Sequence, residues 1–171
     1  MKHLPLSLLL LLPLPLAAEQ PAPERPVPVT IEADRMELNQ KLGTSHYQGG
    51  VVLVQGTLEI RAEHITLYSV EKRLQRALAE GNPATLLQQG EEGEGAIRAE
   101  ATSMEYLPQS RAIQLSGKAR LWRDGNEFSG EQINYDLNQQ LVRATGDTQG
   151  DGRVRVLLQP DETTPQQEPA P

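Results

Sequence analysis

Apolar and polar residues alternate along this chain in a pattern that recurs. Four segments align under one another: IEADRMEL (31–38), IRAEHITL (60–67), AEATSMEY (99–106) and FSGEQINY (128–135). Each begins with an apolar or small residue and has Ala or Gly at the third place. Each has Met or Ile at the sixth and Leu or Tyr at the eighth. A glycine follows each copy: Gly49, Gly81, Gly117 and Gly146. The residues before these glycines alternate too, as Ala77/Ala79, Ile113/Leu115 and Val142/Ala144, with Ser45/Tyr47 a weaker match. Apolar places one, three, six and eight would scatter around a helix. They share one face of a strand only if a residue is inserted between the third and the sixth. Each unit is therefore expected to be a strand with a bulge or bend, at Asp34-Arg35, Glu63-His64, Thr102-Ser103 and Glu131-Gln132. Bends at matching places predict a sheet folded along a shared line of corners.

Turn signals punctuate these strands. Gln55-Gly56, Asp124-Gly125-Asn126 and Asp151-Gly152 read as hairpin turns. Asn82-Pro83 is expected to open a strand, and GEEGEG (90–95) to form a mobile loop. The stretch EKRLQRALAE (71–80) has a helical composition but falls where the repeat requires a strand. It is read as strand, because helix preference is worth only tenths of a kcal/mol per residue. The predicted fold is all-β: a bent, V-shaped antiparallel β-jellyroll of repeated hairpins around an apolar interior.

The expected interior comprises Val29, Ile31, Met36, Leu38, Ile60, Ile65, Leu67, Leu86, Met104, Tyr106, Ile113, Leu115, Leu121, Phe128, Ile133 and Tyr135, with Leu58, Ile97 and Val142 beside them. On pattern alone these residues form either an ordinary packed core or an open hydrophobic groove that receives lipid chains. The first strand (27–31) and the last (153–158) have no internal proline after Val29 and little charge, so their edges invite strand addition.

Composition narrows the function. The chain has 171 residues, a formal charge of −7, 4% aromatics and no cysteine. Disulfides, thiol nucleophiles and Cys-ligated metal are excluded. The acidic balance argues against nucleic-acid binding, which needs a basic footprint. No HExxH or GxSxG motif occurs, and Glu131 stands where a phosphate loop starting at Gly125 would need Lys. Asp34, Glu63 and Glu131 recur at the bends but lack the dense Asp/Gly spacing of a calcium ladder. No metal, cofactor or catalytic residue is expected, and a carbohydrate-active enzyme would need paired carboxylates in an aromatic cleft, against a single Trp122. The start of the chain is a basic Met1-Lys2-His3, an apolar Leu4 to Leu16 run broken by three prolines, then Ala17-Ala18. That order is expected of an export signal over residues 1–18. Residues 19–28 then read as a flexible lead-in, 29–160 as the folded domain and 161–171 as a disordered tail.

Taken in order, IEADRMEL, GGVVLVQGTLEIRAEHITLY, GNPATLLQQ, SMEYLPQSRAIQLSGKARL and FSGEQINY resemble the OstA-like family over about residues 29 to 158. The resemblance implies a bent antiparallel jellyroll with a hydrophobic groove lined by the interior residues named above. It implies a non-enzymatic periplasmic protein that binds lipopolysaccharide by its lipid A acyl chains and passes it from the inner to the outer membrane. The implied partners are further copies of itself head to tail, an inner-membrane lipopolysaccharide transporter complex with its anchored OstA-like subunit, and an outer-membrane lipopolysaccharide translocon. A structural envelope-assembly module that docks by strand addition without carrying lipid remains the alternative.

Overall fold

A computed structural model describes residues 27–90, 95–147 and 152–160. The expected signal, most of the lead-in, the centre of the GEEGEG loop and the tail lie outside the described residues. The elements are all strands: β1 (Val29–Glu32), β2 (Arg35–Asn39), β3 (Thr44–Gln55), β4 (Leu58–Val70), β5 (Arg73–Gln88), β6 (Ile97–Leu107), β7 (Ala112–Arg123), β8 (Asn126–Asp136), β9 (Leu141–Thr145) and β10 (Arg155–Leu157). They form one antiparallel sheet in the order β1-β3-β4-β5-β6-β7-β8-β10, with β2 also on β3 and β9 also on β8. The segment 71–80 contributes to β5, so the repeat outweighed local helix preference. Asn82-Pro83 does not open a strand as expected. It lies inside β5, where the pairing with β6 shifts between Glu80 and Ala84. A residue without an N–H is tolerated there because the ladder is already interrupted.

Every long strand bends at one level. Register shifts occur between Gln48 and Val51, Arg61 and His64, Glu80 and Ala84, Glu100 and Ser103, and Ser116 and Ala119. Three of the four expected bends sit at these shifts, and the Asp34-Arg35 bend marks the break between β1 and β2. Two of the repeat glycines explain themselves at this corner. Gly49 has φ +84° and Gly117 φ +79°, a region that costs other residues strain. A Cβ on Gly117 would also lie 2.8 Å from Thr102 Oγ1.

The bends divide the sheet into two walls. The first holds β1, β10 and the segments 51–55, 58–62, 84–88, 97–101, 119–123 and 126–130; the second holds β2, β9 and the rest of the long strands. Inward residues of both walls share one core cluster, so the open sheet folds over onto itself. Size follows position. The residues beside the corner are small: Ala62, Ala84, Ala101 and Ala119, with Gly130 opposite Ala119. Away from the corner the rows are large aliphatic residues with one alanine in each, as Ile60–Leu86–Ala99–Leu121 on one wall and Ile65–Ala79–Met104–Leu115 on the other. The shorter alanines leave room for large side chains of the facing wall, as close packing of an interior requires. Enlarging the corner should therefore force the walls apart. Ala84→Leu, at a fully buried position, should lower the unfolding free energy by about 1–3 kcal/mol, read from the urea midpoint. An unchanged midpoint would show that the corner has slack.

Candidate functional site

The candidate site is the aliphatic seam between the walls. The registers lay its residues out in transverse rows. One row runs Ile31–Leu53–Ile60–Leu86–Ala99–Leu121–Phe128–Val156 across the first wall. Two rows cross the second: Met36–Tyr47–Ile65–Ala79–Met104–Leu115–Ile133–Ala144 and Leu38–Ser45–Leu67–Ala77–Tyr106–Ile113–Tyr135–Val142. The strand period of two fixes this common facing, and the bulge at the corner preserves it from one wall to the other.

All sixteen expected groove residues lie on inward rows, but their environments differ. Ile60, Ile65, Leu67, Leu86, Met104, Ile113, Leu115, Leu121, Ile133 and Tyr135 are buried, while Val29, Ile31, Tyr106 and Phe128 are partly buried. Met36 and Leu38 are instead exposed, at 58% and 50%. They sit on β2, which has β3 on one side and no strand on the other. An inward residue is covered only if its strand has neighbours on both sides. The middle of the seam is not an open trough: its own side chains fill it. No buried polar or charged residue interrupts it among the described residues. Val51, Leu53 and the corner alanines belong to this core as well. The VVLV run (51–54) and the Ala places of the repeat carried a signal for them.

At the two ends the seam is unfinished. The β2 end shows Met36 and Leu38; at the opposite end Val156 and Leu157 of β10 are 51% and 56% exposed. Among the described residues the backbone edges of β1 and β10 carry no further strand, and neither do those of β2 and β9.

The third boundary is the rim opposite the corner, where the walls meet without a covalent link. On the first wall the innermost row at the rim mixes polar and apolar residues: Gln55, Leu58, Gln88, Ile97 and Arg123. On the second wall the rim row is mainly apolar, with Tyr106 and Tyr135. Burial raises the Tyr106 hydroxyl above its ordinary value of 10.0, and the Arg111 guanidinium partly offsets that. A hydrogen bond spans the rim, with Arg123 Nη1 donating to Tyr135 Oη at 2.7 Å. Arg123 Nε also donates to Asp124 Oδ2 at 3.0 Å. Tyr135 is 2% exposed, so its hydroxyl is satisfied without water. Neither arginine carried a sequence signal, because the apposition of the rims is tertiary.

A depression of about 520 Å³ lies on the outer face of the first wall, around Glu59, Arg61, Leu87, Arg98, Glu100 and Trp122. It is separate from the seam, and its charges are partly neutralised by the Arg61–Glu59 and Arg120–Glu100 pairs. Such exposed pairs hold little energy.

Comparison with known proteins places this geometry. Residues 30–141 match the family described as LptA/(LptD N-terminal domain) LPS transport protein. The lipopolysaccharide export system protein LptH of Pseudomonas aeruginosa is 29% identical over 143 residues, covering 80% of this chain and 82% of that protein. LptA of Escherichia coli strain K12 is 28% identical over 137 residues, with 79% and 72% covered. The crystal structure of LptH, the LptA homologous periplasmic component of the conserved lipopolysaccharide transport device from Pseudomonas aeruginosa, superposes with a TM-score of 0.72. It covers 78% of this chain and 96% of that one at 27% identity. With a bent all-β sheet, an aliphatic seam and a match over most of the folded region, the chain belongs to the LptA/LptD N-terminal domain family of LPS transport proteins.

Proposed function

We propose that this chain is a periplasmic bridge module that binds lipopolysaccharide through its acyl chains and passes it from the inner toward the outer membrane. The observation that carries this reading is the seam: an aliphatic interior that crosses every strand and reaches both ends with apolar residues still exposed. The names of its relatives support it. Residues 1–18 would serve as the export signal, and 29–160 as the bridge domain.

The physical need is clear. Each acyl CH₂ in water costs about 0.8 kcal/mol, so a chain of ~12 carbons faces on the order of 10 kcal/mol. A lipid with several such chains does not cross an aqueous gap unaided. Here the walls are held together mainly by apolar contact, with the Arg123–Tyr135 bond at the rim. When walls part around an acyl chain, apolar contacts are exchanged for apolar contacts, and the interior stays dry throughout. The sugars remain outside.

Strand polarity supports end-to-end joining. Each neighbour in the sheet is antiparallel to the last, so β1 and β10 run in opposite directions, as do β2 and β9. A second copy can set its β1 beside β10 and its β2 beside β9 without breaking the alternation. The rows then continue: Ile31 follows Val156, and Met36 and Leu38 follow Ala144 and Val142. The same edges suit the OstA-like domains of an inner-membrane transporter complex and of an outer-membrane translocon. Leu38→Lys should leave the folded monomer within about 0.5 kcal/mol of wild type, because the residue is exposed. In sedimentation velocity it should abolish the concentration-dependent growth expected of the wild type. A variant that grows as well as wild type places the contact elsewhere.

The filled interior favours a second reading, a structural assembly module that docks by its edges and carries no lipid. Mass spectrometry of the natively purified chain separates the two. Copurifying acylated glycolipid supports transport; intact assembly with no lipid supports the structural module.

A further inference from the structure

Resting on the lipid-carrying reading, we propose that Arg123 and Arg111, facing one crevice at the rim, bind the phosphate group of the carried glycolipid while its acyl chains occupy the seam. The crevice holds about 90 Å³ and is lined from both walls, by Gln88, Ile97 and Arg123 on the first and by Arg111, Tyr135 and Leu137 on the second. It contains two guanidinium groups and no acid among its described lining residues, in a chain whose net charge is −7.

Arg123 is fixed by its side chain, and Arg111 is fixed by its backbone with an exposed side chain. Arg123 has only 18% of its side chain exposed and is fixed by the bonds to Tyr135 and Asp124. A guanidinium has five N–H donors in a rigid fork, so donors remain for an oxyanion. Arg111 sits at φ +50°, where glycine would be less strained. Its backbone is held on both sides: its N–H donates to the Pro108 carbonyl at 3.3 Å, and its carbonyl accepts from Leu137 N–H at 3.0 Å. Its side chain has no acidic partner among the described residues. Bidentate guanidinium–phosphate pairs are strong because donor and acceptor are both charged and planar geometry matches.

The crevice also explains why the occupant is a lipid head rather than a free anion. Ile97 and Leu137 form part of its wall, and Ile97 is itself a core residue of the seam. A phosphate seated there would have an apolar interior directly beneath it. That suits a molecule with its phosphate and its acyl chains on one sugar. When the walls part, Arg123 loses Tyr135 and gains the phosphate, so the clasp is exchanged for the cargo.

The test measures binding of three probes to the full chain: diphosphorylated hexa-acyl lipid A, the same lipid after enzymatic removal of both phosphates, and soluble glucosamine-1-phosphate. Wild type should prefer the phosphorylated lipid at least tenfold and bind the soluble sugar phosphate far more weakly. Arg111→Gln, an exposed change that should not disturb folding, should erase much of that preference. The double variant Arg111→Gln/Arg123→Gln should erase the rest, with binding of the dephosphorylated lipid unchanged. Tyr135→Phe, which breaks the clasp and keeps both cations, should retain the preference. Equal affinity of wild type for the two lipids, or equal losses for both in Arg111→Gln, overturns the phosphate site and leaves lipid carriage standing. Tight binding of the soluble sugar phosphate overturns the lipid source. Failure of wild type to bind either lipid overturns lipid carriage and this site with it.

Discussion

The structure depends on one geometric constraint: all the long strands must turn at the same level. β5 alone has 16 residues, and a flat strand of that length spans roughly 50 Å at about 3.3 Å per residue. Folded across a common corner, the same strand serves two walls. The inserted residue at each bend keeps inward residues inward on both sides. A slip of one residue in any strand would turn its whole apolar set to water. The corner glycines and the alanines beside it follow from this constraint, because two walls meeting at an angle leave little room near the apex.

From that constraint come three kinds of boundary. The corner is sealed by continuous backbone. Among the described residues the ends carry no seal, because β1, β2, β9 and β10 each lack a second neighbour there. The rim is intermediate, closed by side chains and by the Arg123–Tyr135 bond. A conduit for a molecule with greasy tails and a wet head needs this division: continuity through the ends, permanence at the corner and a parting line at the rim.

Much of this was legible in the sequence. The spacing of apolar places at one, three, six and eight encodes the bend directly, since no unbroken helix or strand produces it. The same repeat overruled the helical composition of 71–80, now within β5. What was not legible depended on neighbours. Met36 and Ile65 occupy one row and differ little as sequence positions, yet one is exposed and the other buried, because β2 is an edge and β4 is not. The filling of the seam was likewise hidden: aliphatic alternation is the same for a core and a groove. Asn82-Pro83 misled because an X-Pro pair marks an interruption of the ladder without saying whether the strand resumes.

Movement along such a seam requires that no point hold the cargo too well. The inner rows offer much the same material at each step, medium aliphatic side chains with some alanines, and no buried polar or charged residue among the described residues. An acyl chain displaced by one strand along a row meets an aliphatic environment like the one it left, so the free-energy surface along the interior is nearly level. The head group sees a different landscape, because charge is confined to the rim and the outer faces. The proposed rim site would place discrimination on the phosphate side of the molecule and permissiveness on the acyl side. A level path has no preferred direction. No nucleotide-binding loop motif occurs in the sequence, and in the proposed pathway the bias enters at an end, where cargo is loaded onto the first exposed strand.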